Sequence, residues 1–440
     1  MNMMGTSGSK PTIHSGNSTP GRRRNGISLR RFPYPYRAAM AICSDIDGTR
    51  TTDEFLEIQR FLNTKGVTSM GEGIGLEIGN SFYFYDVAGQ FSYFSRDERA
   101  RAVIIDLIRA GFIDCLHSYG DAATSRDQVE RAIDALTAED CRLRVWTNHF
   151  NARSNIGRKF EHLFGSCEGD NPGGRIYHAD LTLAYGIRYA WVGSHTRIVG
   201  QDSGDSYSWL ATLWDPRYPA SSFASTLKEA RKIALGRAGS RRYAMHSSNQ
   251  LMAPLGLADG QQLHEFKRYG NHPVSPGEGA TSRGLAYVIS ERALRHLKAR
   301  QGFMIVYSHL GKNSDSKEVI ARESQAALRN LEREFREGQI YVTTTAKLLN
   351  YCAALRYLEW SHRQVEGRLE IHIHRMNDPV FGATVPQVDQ LQGLTFCVPT
   401  SANVEVFVGG RRVEGIIGNP ADSTGKNSIT LPFTVLRYPY

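Results

Sequence analysis

Ala38-Ala39-Met40-Ala41-Ile42-Cys43-Ser44 runs without a break into Asp45-Ile46-Asp47-Gly48-Thr49. Seven uncharged, mostly apolar residues read as a strand buried on both faces, the pattern of an interior strand in a parallel sheet. The strand then delivers two carboxylates. Side chains two apart on extended backbone fall on the same face. Asp45 and Asp47 can therefore share a metal ion, or split their pKa values so that one stays ionised as base or nucleophile. A plain Asp-Gly turn would account for Asp47-Gly48, but Asp45 follows an apolar strand and needs a partner.

Outward from this stretch, strands and amphipathic helices alternate. The spacing predicts helices over 53–63, 99–109 and 127–136, and strands ending at Leu116 and over 143–147, 188–192, 242–245 and 303–308. Val319, Ile320, Ala327, Leu328, Leu331 and Phe335 recur at three- and four-residue spacing, and Gly338 stands where a C-capping glycine belongs. A strand over 340–344 and a helix over 346–358 follow. Repeated strand-helix order predicts a parallel α/β sheet, and the number of units favours closure into a barrel. Past Gly367 short alternating segments (369–373, 404–408, 429–435) are separated by Gly, Pro and Asn. The expected organisation is a disordered basic tail over 1–32, a catalytic deformed (β/α) barrel over 33–366, and a β-rich accessory module over 367–440.

Polar, metal-capable residues follow several strands: His117-Ser118-Tyr119-Gly120-Asp121, Asn148-His149 and His309-Leu310-Gly311. Active sites of parallel α/β folds lie at the carboxyl ends of strands, so residues far apart in sequence converge there. Carboxylate and imidazole together suit zinc, cobalt, nickel or iron better than magnesium. His178-Ala179-Asp180 is ligand-like in type. His372 and His374 are explained by strand alternation alone. Glycine-rich 71–79 lacks any phosphate-loop pattern and reads as a loop. Phe82-Tyr83-Phe84-Tyr85, with Phe91, Tyr93 and Phe94, reads as core packing before a sugar-stacking cleft.

These strand-end motifs resemble those of the NodB-like polysaccharide deacetylases, carbohydrate esterase family four and its relatives. Asp45-Ile46-Asp47-Gly48 resembles that family's first motif with one residue inserted. His117-Ser118-Tyr119-Gly120-Asp121 resembles the second, with Asp in place of the last His. Val306-Tyr307-Ser308-His309 resembles the late one, and 338–349 the last strand and helix. The resemblance spans roughly 35–360. It implies a NodB-type deformed barrel and a metal-dependent hydrolase that removes N- or O-acetyl groups from a poly- or oligosaccharide. Asp47, His117 and Asp121 would hold the metal, Asp45 would be the base toward metal-activated water, and His309 the acid for the leaving group. The inserted Ile46 leaves open which Asp is base and which ligand. Asp121 in place of His leaves His149 as an alternative ligand, with Asn148 beside it facing ligand or substrate.

Asp45-x-Asp47-Gly-Thr is also similar to the nucleophile motif of haloacid-dehalogenase-type phosphatases. That reading would use magnesium, Thr147 as a second motif, and Asp202 with Asp205 as an acidic pair; it gives no role to His117, His149 or His309. A third reading is a non-catalytic carbohydrate-binding barrel.

Charge excludes a nucleic-acid enzyme. Of the net +9, six positive charges (Lys10, Arg22, Arg23, Arg24, Arg30, Arg31) lie in the first 31 residues, which hold no acid. Six scattered cysteines without a CxxC pair or regular spacing predict no disulfide framework. No apolar run approaches the ~18 residues of a membrane span, and no signal-peptide core follows the arginine run. The expectation is a cytoplasmic protein with no membrane or nucleic-acid partner; the pattern assigns no oligomeric state.

Overall fold

The computed structural model describes residues 12–15, 26–86, 90–149, 152–157, 167–204, 207, 209–312, 318–400, 403–422 and 424–440, with backbone alone at 12–15 and 209. The chain divides into two units, one of residues 37–348 with 436–440 and the other of 1–36 with 349–435.

The larger unit is mixed α/β, built on an eleven-stranded curled sheet that forms a half-barrel. Its strands are β1 (Ala38–Ser44), β2 (Gly79–Phe82), β3 (Ile113–His117), β4 (Val145–Thr147), β5 (Tyr189–Trp191), β6 (His195–Thr196), β7 (Met252–Gly256), β8 (Gln262–Phe266), β9 (Arg268–Tyr269), β10 (Phe303–Ser308) and β11 (Ile340–Thr343). The main path runs β6-β9-β10-β1-β2-β3-β4-β5-β8-β7, and every pairing along it is parallel except β7 with β8. β1 lies in the middle and is buried throughout. One of its edges pairs with β10 over six residues. The other edge is divided: Ala38–Ala41 pair with β11, and Cys43–Ser44 with β2.

Helices Thr52–Asn63, Glu98–Arg109, Arg126–Ala138 and Arg322–Arg336 lie where the spacing predicts, each within a few residues. Thr51 and Asp97 cap the first two through side-chain oxygens, satisfying amides that have no partner within the helix. Gly79 begins β2 because nothing larger fits: a Cβ there would stand 2.5 Å from Asp114 Oδ1. That carboxylate accepts from the Ala346 amide at the start of helix Thr345–Tyr357. The strand expected over 242–245 is instead a 3-10 helix, Arg241–His246. A four-residue apolar run does not distinguish the two by periodicity, and here it turns back against Gly236 of helix Pro219–Arg237.

The smaller unit holds two sheets. In one, Leu358–Val365 and Arg368–Asp378 form an antiparallel pair, and the latter strand pairs with Val404–Val408. In the other, Thr395–Val398 pairs with Asn427–Thr430. Two N-terminal strands join them: Thr12–Ser15 adds to Leu358–Val365, and Ser28–Leu29 to Thr395–Val398. These residues are therefore strand, not the disordered tail expected over 1–32; Lys10, Arg22, Arg23 and Arg24 lie outside the described residues. The β unit accordingly draws on chain outside the 367–440 segment. The strand expected over 429–435 ends at Thr430, two residues before Pro432, which lacks the amide a ladder needs. All six cysteines are free and buried.

Candidate metal centre

Register brings the chemistry together. Ser44 pairs with Ser308, so the residues that follow each, Asp45 and His309, emerge side by side. His117 pairs with Thr147 on the next part of the sheet, which sets His117 beside the Asn148-His149 segment. Ile46, the residue inserted between the two aspartates, is buried in the apolar cluster with Phe55 and Phe82, so it anchors the turn while its neighbours face the site. Gly48 follows with φ +84°, a value that favours glycine.

Asp47, His117 and His149 each offer one ligand atom, and the three atoms lie within 4.8 Å of one another. Asp47 Oδ1 is 2.9 Å from His149 Nε2. Asp47 Oδ2 is buried and receives no well-formed hydrogen bond, although His309 Nε2 lies at 3.3 Å and His117 Nδ1 at 3.7 Å. A carboxylate oxygen left without a donor among imidazoles fits a cation. Asp121 does not join the cluster. Its Oδ1 lies 2.6 Å from His149 Nδ1, on the far side of the ring from Asp47. It thereby fixes the His149 ring and leaves Nε2 to face the site, the support that metal-ligating histidines receive from a carboxylate behind them. His149, not Asp121, is thus the third residue of the possible metal-binding triad, and Asp121 stands behind its ring.

Electrostatics follow from burial and charge. Burial opposes ionisation of Asp47, but its contacts with His149 and His309 prevail and hold its carboxyl well below the usual range. Burial likewise disfavours a charged His149, yet the two carboxylates flanking its ring raise it to about 10. Its Nε2 thus faces Asp47 across a position that either a proton or a cation would occupy. His117, enclosed and less directly paired, is pushed down by burial to about 4, which leaves it neutral and able to ligate.

Asp45 sits beside this cluster, 2% exposed. Ser81 Oγ donates to its Oδ1 at 2.7 Å and Arg268 Nη1 to its Oδ2 at 3.2 Å. Ser81 Oγ also lies 3.2 Å from His117 Nδ1. Burial would raise the Asp45 carboxyl, but Arg268, with His117 and His309, holds it below the ordinary carboxylate range. Arg268 is itself buried between rings, its Cζ 4.4 Å from the centroid of Trp191 and 4.8 Å from that of Tyr307. His309 is anchored through Nδ1, 3.1 Å from the Ala280 carbonyl, which aims Nε2 at Asp47.

The other candidates lie elsewhere or are fully engaged. The Asn148 amide accepts from Trp146 Nε1 and the Ile156 amide and donates to the Ile156 carbonyl, so it staples a loop. His178 bonds Thr182 and the Ser154 carbonyl, while Asp180 forms a bidentate pair with Arg126. The Thr147 hydroxyl faces the Leu116 carbonyl. Asp202 receives the Leu251 amide, and Asp205 lies outside the described residues. His372 contacts Glu370 in the smaller unit. Phe82, Tyr83, Phe84, Phe91 and Tyr93 are core, with Tyr83 also standing 6.0 Å, centroid to centroid, from both His117 and His149. Arg268, Ser81 and Tyr83 were not expected as site residues. Arg268 begins a two-residue strand whose pattern carries no periodic signal, and its partner Asp45 is 223 residues away.

The chain matches no family model, no curated protein and no solved structure.

Proposed function

We propose that the chain is a metal-dependent hydrolase that removes acyl groups, N- or O-acetyl, from a carbohydrate, on a NodB-type deformed barrel. One observation carries the reading: the cluster of buried Asp47 and His117 with partly buried His149 is flanked by a carboxylate, Asp45, and by an imidazole, His309. The carbohydrate as substrate rests on the resemblance of the strand-end motifs. A divalent ion of the zinc, cobalt, nickel or iron type, bound there, would supply Lewis-acid activation of water and of the acyl carbonyl.

The residues then divide the proton traffic. Asp45, kept ionised by Arg268 and oriented by Ser81, accepts the proton of the attacking water. His309, anchored through Nδ1, delivers a proton from Nε2 to the departing amine or alcohol. Asp121 holds the His149 ring in place. Phosphoryl transfer finds less support, since Thr147 and Asp202 bond backbone groups and that reading gives the imidazoles no role.

The test is the metal content of the dialysed full chain and of His117→Ala, followed by acetate release from acetylated oligosaccharides. Near-stoichiometric transition metal in the parent and its loss in the variant are expected. Asp45→Asn should retain metal while its kcat falls about 100-fold or more. Absence of retained transition metal, with the two proteins indistinguishable, would overturn the reading.

A further inference from the structure

Helix Pro219–Arg237 buries polar side chains and turns large apolar ones outward. Its buried positions are Ser222, Ser225, Glu229, Ile233 and Gly236, three of them polar. Its outward positions include Phe223 and Leu227, 62% and 61% exposed. These two are four residues apart and so lie one above the other on the same face. Ala220, Ala224 and Ala234, all exposed, extend the stripe at helical spacing.

The apolar surface continues past the helix. Trp214 and Tyr218, in the segment leading into it, are both exposed. Ser221 Oγ donates to the Pro273 carbonyl, which brings Val274, 73% exposed, against the same end. Singly exposed apolar residues are ordinary, but a contiguous set on one element marks a contact surface.

Charge identifies the occupant. Lys228, Arg231 and Arg237 are exposed on the helix. The helix has a single acid, Glu229, which is fully buried and paired with Lys232 at 2.7 Å. Cations beside Phe and Leu, with Trp and Tyr at one end, are the composition of a helix lying in the plane of an anionic bilayer surface. Trp and Tyr suit the headgroup level because each has an apolar body and a polar tip. A symmetric second copy would set Lys228 and Arg231 against their own counterparts, which opposes self-association through this face.

We infer that the outer face of helix Pro219–Arg237, with Trp214, Tyr218 and Val274, docks the protein on an anionic lipid surface. This goes beyond the proposed hydrolase activity and stands independently of it. Among the described residues no helix is long and apolar enough to cross a membrane, and a surface contact requires none.

Flotation of the full chain with phosphatidylcholine vesicles, with and without phosphatidylglycerol, tests it. The parent should float with the anionic vesicles, and added salt should weaken the association. Phe223→Ser with Leu227→Ser should lower apparent affinity roughly tenfold or more, and Lys228→Glu with Arg231→Glu should abolish the preference for anionic lipid. Both pairs are exposed, and an unchanged far-ultraviolet dichroism spectrum would show that the variants fold. A parent chain that stays in solution with both vesicle types would overturn the inference. So would a Phe223→Ser, Leu227→Ser protein that floats like the parent, or a parent dimer that this double variant dissolves without any vesicle binding.

Discussion

Asp121 was expected to touch the metal directly and instead stands behind His149. The distinction is measurable. Removing a residue that only orients a ligand costs about 10–100-fold in metal affinity, so Asp121→Ala should still bind zinc, more weakly, whereas His149→Ala should lose most of it; competition titration against a chromogenic chelator separates the two. Arg268 and Asp45 make a second prediction at this scale. Both are 2% exposed or less. Arg268→Met would leave a buried carboxylate without its cation and should cost about 3–5 kcal/mol, read from urea unfolding. Adding Asp45→Asn should recover a large part of that loss, because the uncompensated charge is then gone. What could be read from residues alone was the set of strand-end polar residues that converge. The two aspartates, His117, His149 and His309 all announce themselves by following apolar runs. Arg268 does not, since nothing local marks an arginine whose partner is on a strand 223 residues earlier.

Elements show where periodicity suffices and where it fails. The helix over 322–336 and the strands β1 and β10 are long and strongly patterned, and they stand close to where the pattern puts them. β6 and β9 have two residues each, too few for any period, and Arg241–His246 winds into a helix on the same apolar signal that would make a strand. His178 illustrates what an element junction can hold. It precedes helix Ala179–Tyr185, bonds Thr182 within it, and ties it to the Ser154 carbonyl. Burial lowers its pKa from 6.5 to about 4. Below 6.5 the unfolded chain therefore takes up a proton that the folded one refuses, so stability falls as pH drops from 6.5 toward 4 and is complete above 6.5. The loss attributable to this group is about 3 kcal/mol across that window. Urea midpoints measured along that range should slope accordingly, and His178→Gln should flatten the slope even if it lowers the midpoint throughout.

For the whole molecule, the alternation of strands and helices foretold a mixed α/β unit and a separate β-rich one. It did not foretell that N-terminal strands Thr12–Ser15 and Ser28–Leu29 would pair with strands of the C-terminal half, because pairing partners hundreds of residues apart leave no local trace. The metal centre gives a prediction at this scale. A cation that binds only the folded larger unit raises its stability by mass action, about 2.7 kcal/mol at a hundredfold excess over its Kd. Calorimetry of chelator-treated protein with zinc added back should show a higher transition temperature, and His117→Ala should not respond. The divided edge of β1 carries a consequence for synthesis. Its first residues are bordered by β11, from 340–343, and Ala39–Ser44 by β10, from 303–308. A nascent chain that has released only its first three hundred residues holds, just before Asp45 and Asp47, a strand that can pair with β2 alone, and its pairing across long loops must await β10 and β11. Asp47, His117 and His149 all emerge within the first half of the chain, but His309 follows β10 and reaches the centre only once that strand has been made.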